Sequence, residues 1–98
     1  MDKYPKVRID FCTKCKWNLR AAWYAQELLQ TFDSQLGEVA MSPADGGVFQ
    51  VYVQLQSDLE PQLVWDRKEK GFPESKELKQ VVRDLVDPAR NLGHCEKK

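Results

Sequence analysis

The chain's 98 residues supply material for one domain built round one core, and 42% hydrophobic content with ten aromatic side chains excludes a disordered chain. No apolar run approaches the roughly 18 residues of a spanning helix, and the start, 1–10, alternates charge with apolar residues instead of carrying a signal-peptide core. Fifteen basic against fifteen acidic residues leave no cationic excess of the kind nucleic acid selects. The expectation is a cytoplasmic protein with neither a nucleic-acid nor a membrane partner. The zero net charge conceals a division: residues 1–20 carry an excess of four positive charges, 21–65 have six acids and no Lys or Arg, and 66–98 an excess of two positive charges.

Val7 to Phe11 alternates apolar and polar residues, which predicts a first strand. From Trp17 to Phe32 the period changes: Leu19, Ala22, Ala25, Leu29 and Phe32 step by three or four, with Leu28 widening the stripe, and predict a helix ending near Gly37. Trp23 is expected in its core. Glu38 to Met41 is a short second strand, and Ser42 to Gly47 a cluster of turn residues that includes Pro43. Val48 to Leu55 alternates as a third strand, a loop passes Ser57, Asp58 and Pro61, and Leu63 to Trp65 reads as the hairpin partner. After a turn at 68–71, Leu78, Val81, Val82, Leu85 and Val86 mark a final helix that Pro88 stops. Residues 87–98 read as a tail.

The order is strand, helix, strand, strand, strand, helix. A strand-helix-strand opening makes the first two strands parallel and the later hairpin adds antiparallel partners. This predicts an α/β sandwich of the thioredoxin-like kind, a four-stranded mixed sheet with two helices, in a single domain over 1–98.

Cys12 and Cys15 form Cys-Thr-Lys-Cys at the joint between the first strand and first helix. Such a pair can be a redox disulfide, half a zinc site, or two inert buried thiols. The strand-helix joint favours the first, because helix N–H groups and the nearby Lys14, Lys16 and Arg20 stabilise a thiolate, the attacking species in disulfide exchange. Zinc wants four ligands, and His94 and Cys95, adjacent in sequence, are badly placed to complete the set; no metal is expected. Trp17, Trp65 and Phe72 are candidates for an apolar rim that holds a partner's side chain, and Gly71-Phe72-Pro73 for a loop that approaches the cysteines. Lys14, Lys16, Trp17, Arg20, Phe72 and Pro73 are thus the candidate substrate contacts, with Cys12 and Cys15 the candidate catalytic pair. Cys95 reads as an exposed thiol without a partner at fixed spacing.

The run Phe11 through Trp23, with its Cys-x-x-Cys-x-Trp-x-x-Arg-Ala-x-Trp pattern, resembles the selenoprotein W-like family, whose cysteine-containing members form the Rdx group. Further similar segments are Gln26 to Leu29, Gly46-Gly47-x-Phe49, Trp65 to Lys68, Gly71 to Glu74 and Asp87-Pro88, so the resemblance spans nearly the whole chain. It implies a thioredoxin-like fold and a thiol redox role at Cys12 and Cys15 linked to glutathione as co-substrate, without a bound cofactor. Selenocysteine takes the place of Cys15 in animal members, and both sulfurs stand as candidates for the attacking atom. The expected activity is that of a thiol-disulfide oxidoreductase or glutathione-linked antioxidant acting on protein or small-molecule thiols and disulfides. The alternative is a redox-sensitive interaction module without turnover.

Overall fold

A computed structural model describes residues 3–90 and Leu92. The chain runs through β1 (Lys6–Cys12), α1 (Asn18–Phe32), a 3-10 turn (Asp33–Gln35), β2 (Glu38–Ala44), β3 (Phe49–Gln54), β4 (Gln62–Asp66), α2 (Arg67–Lys70) and α3 (Ser75–Val86). The strands form one sheet in the order β2-β1-β3-β4, with β1 parallel to β2 and the other neighbours antiparallel. This is the four-stranded mixed α/β arrangement of the thioredoxin-like kind, with a single-turn α2 added to the two expected helices.

The alternation in β1 and β3 sets which way the sheet faces. Val7 and Ile9 lie opposite Val53 and Val51, and all four are fully buried with Phe49. Ala21, Tyr24, Leu28 and Phe32 of α1 and Leu78 and Val82 of α3 close over that face. Arg8, Asp10, Gln50 and Tyr52 alternate onto the other face, where Arg8 pairs with Asp10 at 2.8 Å and stacks 4.4 Å from the Tyr52 ring centre. The molecule is therefore a two-layer sandwich, helices on one side and an open polar sheet on the other.

Three expectations are corrected. The buried stripe of α1 is Ala21, Tyr24, Ala25, Leu28 and Phe32, whereas Leu19 is 78% exposed and Leu29 39%. Both stripes have helical spacing, so periodicity fixes a repeat but not the rotation about the axis. Trp23 is accordingly outside the core, half exposed with its ring edge-on to Tyr24. Second, β2 continues through Ser42, Pro43 and Ala44 instead of ending at Met41, and the turn shrinks to the segment closed by Val48 N–H donating to the Asp45 carbonyl at 3.3 Å. Pro43 is accepted because β2 is an edge strand. Third, 87–90 do not trail away: Arg90 donates to the Thr31 carbonyl at 2.7 Å and to Gln35 Oε1, and Gln35 donates to Asp87 Oδ2 at 2.7 Å. Leu92 packs against the core.

Asp66 caps α2, accepting from Lys68 N–H at 3.1 Å, and Glu77 caps the start of α3 by accepting from Glu74 N–H at 3.0 Å. The two long helices are joined across their faces by Glu27, which accepts from Ser75 Oγ at 3.1 Å and pairs with Lys79 at 3.0 Å.

Candidate functional site

Cys12 is the last residue of the central strand β1, with β2 and β3 on either side. Its N–H donates to the Val48 carbonyl at 2.8 Å and the next N–H, of Thr13, to the Ala44 carbonyl at 3.1 Å. These bonds fix the first cysteine in the floor of the site, where it is 2% exposed. The chain then turns back: Lys16 N–H donates to Thr13 O at 3.0 Å and Trp17 N–H to Cys12 O at 3.4 Å, with Lys16 in the left-handed region at φ 61°. That turn brings Cys15 over Cys12, its Sγ donating to Cys12 Sγ at 2.7 Å, while Cys15 itself stays exposed. A disulfide of about 2.05 Å needs only a small further approach.

The two thiols polarise one another. Cys12 is pulled below its ordinary value, first by the Cys15 hydrogen bond and then, against some desolvation, by backbone N–H groups of Gly47, Cys15 and Lys14. Cys15 is pushed up because it gives that hydrogen bond, because it is partly desolvated, and because a charged Cys12 repels a second thiolate; the Arg67 guanidinium and Gly47 N–H oppose this. The pair thus holds its first proton more tightly at Cys15 than at Cys12.

Arg67 and Gly47 are the residues that sequence reasoning missed as site chemistry. Arg67 donates from Nε and Nη2 to the Gly47 carbonyl at 3.1 and 3.0 Å, and its guanidinium lies 5.0 Å from the Trp17 ring centre. Gly47 has φ 73°, a conformation L side chains rarely adopt, and this presents its N–H to the sulfurs and its carbonyl to Arg67. The cation acting on Cys15 therefore comes from the first residue of α2, 52 positions along the chain, while Lys14 bears on the pair through its backbone N–H. Their only signal in the sequence was membership of the Gly46-Gly47 and Trp65 to Lys68 segments, to which no role attached.

The expected contacts separate into two groups. Trp17 and Phe72 meet edge-to-face at 4.9 Å, both leaning on Phe49, and Arg20 lies 4.1 Å over Phe72, so these three share one rim, the two rings half-buried and Arg20 exposed. Lys14 and Lys16 stand exposed in the turn. Pro73 is buried and its carbonyl accepts from the Tyr24 hydroxyl at 2.5 Å, which ties the loop before α3 to α1 and makes Pro73 no surface contact. Trp65 is also buried, its indole N–H donating to Gly71 O at 2.7 Å, so it belongs to the core and not to the rim. Among the described residues no group of three or more His, Cys, Asp or Glu is placed to hold a metal ion; His94 and Cys95 lie outside them. No helix among the described residues is long and apolar enough to cross a membrane.

The model of the Rdx family matches residues 6–84, from the first residue of β1 to the last turn of α3. The chain belongs to the Rdx family. Among solved structures, this Rdx protein is similar to a Bordetella parapertussis protein at 51% identity, covering 81% of this chain and 94% of that one with a TM-score of 0.72. It is also similar to a selenoprotein W-related protein from Vibrio cholerae at 44% identity, covering 84% and 96% with a TM-score of 0.75. No curated protein matches the chain. The resemblance read from Phe11 through Trp23 and the segments after it is thus shown, and the Rdx family is generally associated with redox chemistry.

Proposed function

We propose that this Rdx protein is a cytoplasmic thiol-disulfide oxidoreductase in which Cys15 exchanges with substrate and Cys12 resolves the product, with glutathione as the thiol that restores the pair. The observation that carries the reading is the arrangement of the two sulfurs, 2.7 Å apart with Cys15 exposed and Cys12 2% exposed. Attack on a disulfide needs in-line access to a substrate sulfur, which Cys15 has and Cys12 lacks. Cys12 is instead the better thiolate and sits within reach of the Cys15 sulfur.

In the forward direction Cys15 gives up its proton, to Cys12 or to solvent. Its thiolate then attacks the substrate disulfide, forming a mixed disulfide and releasing one substrate thiolate. Cys12, after passing any proton it took from Cys15 to the released substrate thiolate or to solvent, attacks Cys15 Sγ as thiolate and expels the second substrate thiolate, which leaves the Cys12–Cys15 disulfide. Two electrons have passed to the substrate, and two glutathione thiols return them by becoming glutathione disulfide.

The test is equilibration in graded glutathione buffers followed by alkylation and mass measurement, in a Cys95→Ser background. The expected result is a two-electron transition between about -270 and -120 mV, the range of thioredoxins and their relatives. In the same buffers Cys12→Ser should accumulate glutathione on Cys15, and Cys15→Ser should accumulate little on Cys12. A pair that stays reduced throughout the series sinks the proposal. The half-buried aromatic rim of Trp17 and Phe72 beside the cysteines favours a second reading, a redox-sensitive interaction module, which differs in showing one oxidation without catalytic turnover of a model disulfide.

A further inference from the structure

Cys15 is exposed, and three surface cavities among the described residues lie away from it, lined by Tyr4, Pro5, Leu55 and Val86 at the far end of β1, by Trp65 and Lys70, and by Arg8, Tyr52 and Pro61. Small-molecule sites are concave, whereas protein partners are engaged on open surfaces through a few aromatic, aliphatic and arginine anchors. The surface beside Cys15 has that composition. Leu19, four positions after Cys15, is 78% exposed, and Trp23, one helical turn further on α1, is 51% exposed. A single exposed leucine means nothing, but two large apolar side chains stacked on one helix face form a patch.

The charged residues from Lys14 to Trp23 are all basic, and Glu27, further along α1, is paired with Lys79. Lys14, Lys16 and Arg20 are exposed, Arg67 is half-buried, and among the described residues none of the four pairs with a carboxylate. Resting on the proposed exchange at Cys15, we infer that the Leu19–Trp23 face of α1, with Lys16 and Arg20 beside it, docks an acidic polypeptide and presents that partner's disulfide-bonded cysteine to Cys15. The exchange is the one written above, with the partner's disulfide as the electron acceptor. The apolar pair supplies the anchor and the unpaired cations supply steering and register.

The test compares two substrates on the whole protein. One is a short synthetic peptide whose central cysteine, flanked by leucine and glutamate, is held as a mixed disulfide with 2-mercaptoethanol; the other is bis(2-hydroxyethyl) disulfide, small and neutral. Leu19→Gln combined with Trp23→Gln should slow exchange with the peptide about tenfold, the loss of one good anchor, and leave the small disulfide's rate in place. Replacing the peptide's glutamates by lysine should slow the parent protein by a similar factor, and added salt should narrow that difference. Equal slowing of both substrates, or indifference to peptide charge, overturns the docking surface. A cysteine-free version of the peptide, with serine at the centre, separates this inference from the redox reading. A shift of the Trp23 indole N–H resonance on titration supports docking even if no disulfide exchanges, and a resonance that does not move overturns it even if Cys15 proves reactive. Doubling of mass in sedimentation that the double substitution abolishes, or a shift caused by phosphatidylserine vesicles and not by the peptide, overturns it in favour of a second copy or a lipid surface.

Discussion

Arg67 supplies the positive charge that acts on the Cys15 thiol, against the larger effect of the hydrogen bond between the two sulfurs. It opposes the rise of the Cys15 thiol, and its two hydrogen bonds hold the Gly47 carbonyl so that the Gly47 N–H faces both sulfurs. Arg67→Gln removes the charge and the fork together. The Cys15 thiol should then move further above its ordinary value, and alkylation of Cys15 near neutral pH should fall several-fold, measured with iodoacetamide in a Cys95→Ser background. The sign follows from the species that reacts: the thiolate fraction grows as pH rises through the thiol's pKa, so a higher pKa moves the whole rate profile to higher pH. A profile that does not move would show that Arg67 serves only to pack against Trp17. Lys could replace the charge but not the fork, so Arg67→Lys should recover part of the rate.

At the scale of elements, the rotation of α1 decides what is core and what is surface. Leu28 is fully buried between sheet and α3, and its neighbour Leu29 is 39% exposed. Leu28→Ala should lower unfolding free energy by about 2–5 kcal/mol, whereas Leu29→Ala should change it by about 0.5 kcal/mol or less, both read from urea transitions. Equal costs would place the helix in another rotation. The sequence could not make this distinction, because Leu19, Ala22 and Leu29 repeat as regularly as Ala21, Tyr24 and Leu28. What sets the rotation is the entry of the chain: Lys16 in the left-handed region, Trp17 bonded back to Cys12, and Tyr24 reaching the Pro73 carbonyl. β2 shows the same limit at its end, since Pro43 reads locally as a turn residue and is tolerated in a strand because, among the described residues, β2 is an edge of the sheet.

For the whole molecule, Glu27 is the tie between its two long helices. Lys79 and then Ser75 hold its carboxyl below the ordinary carboxylate value. A depressed acid contributes stability above its unfolded pKa, and that contribution disappears as pH falls through the folded value. With 29% of its side chain exposed the pair is partly screened, so Glu27→Gln should cost about 0.5–1 kcal/mol at neutral pH. The gap between variant and parent should close at acid pH, below the ordinary carboxylate range, once the pH has fallen through the lowered value of the folded carboxyl and the parent is also protonated. Urea midpoints at both pH values check this, and a gap that persists in acid would assign the effect to packing.

Much of the chain's identity was local and therefore legible. Alternation in β1 and β3 gave the buried face correctly, because a strand's period of two leaves only two choices and the apolar set selects one. The spacing of Cys12 and Cys15 at the end of a strand placed both sulfurs in one turn, since two intervening residues can do little else. The pattern from Phe11 through Trp23 pointed to the Rdx group for the same reason. Other features were fixed only by folding, because they join groups far apart in the chain. Arg67 reaches Gly47 and Cys15 from the start of α2, Trp65 and Pro73 turn inward to meet Gly71 and Tyr24, and Arg90 folds back on Thr31. The sequence by itself determined the elements, the sheet's inner face and the cysteine pair; the tertiary structure decided which sulfur is exposed, which cation acts on it and which face of α1 meets solvent, because each depends on contacts that no local spacing encodes.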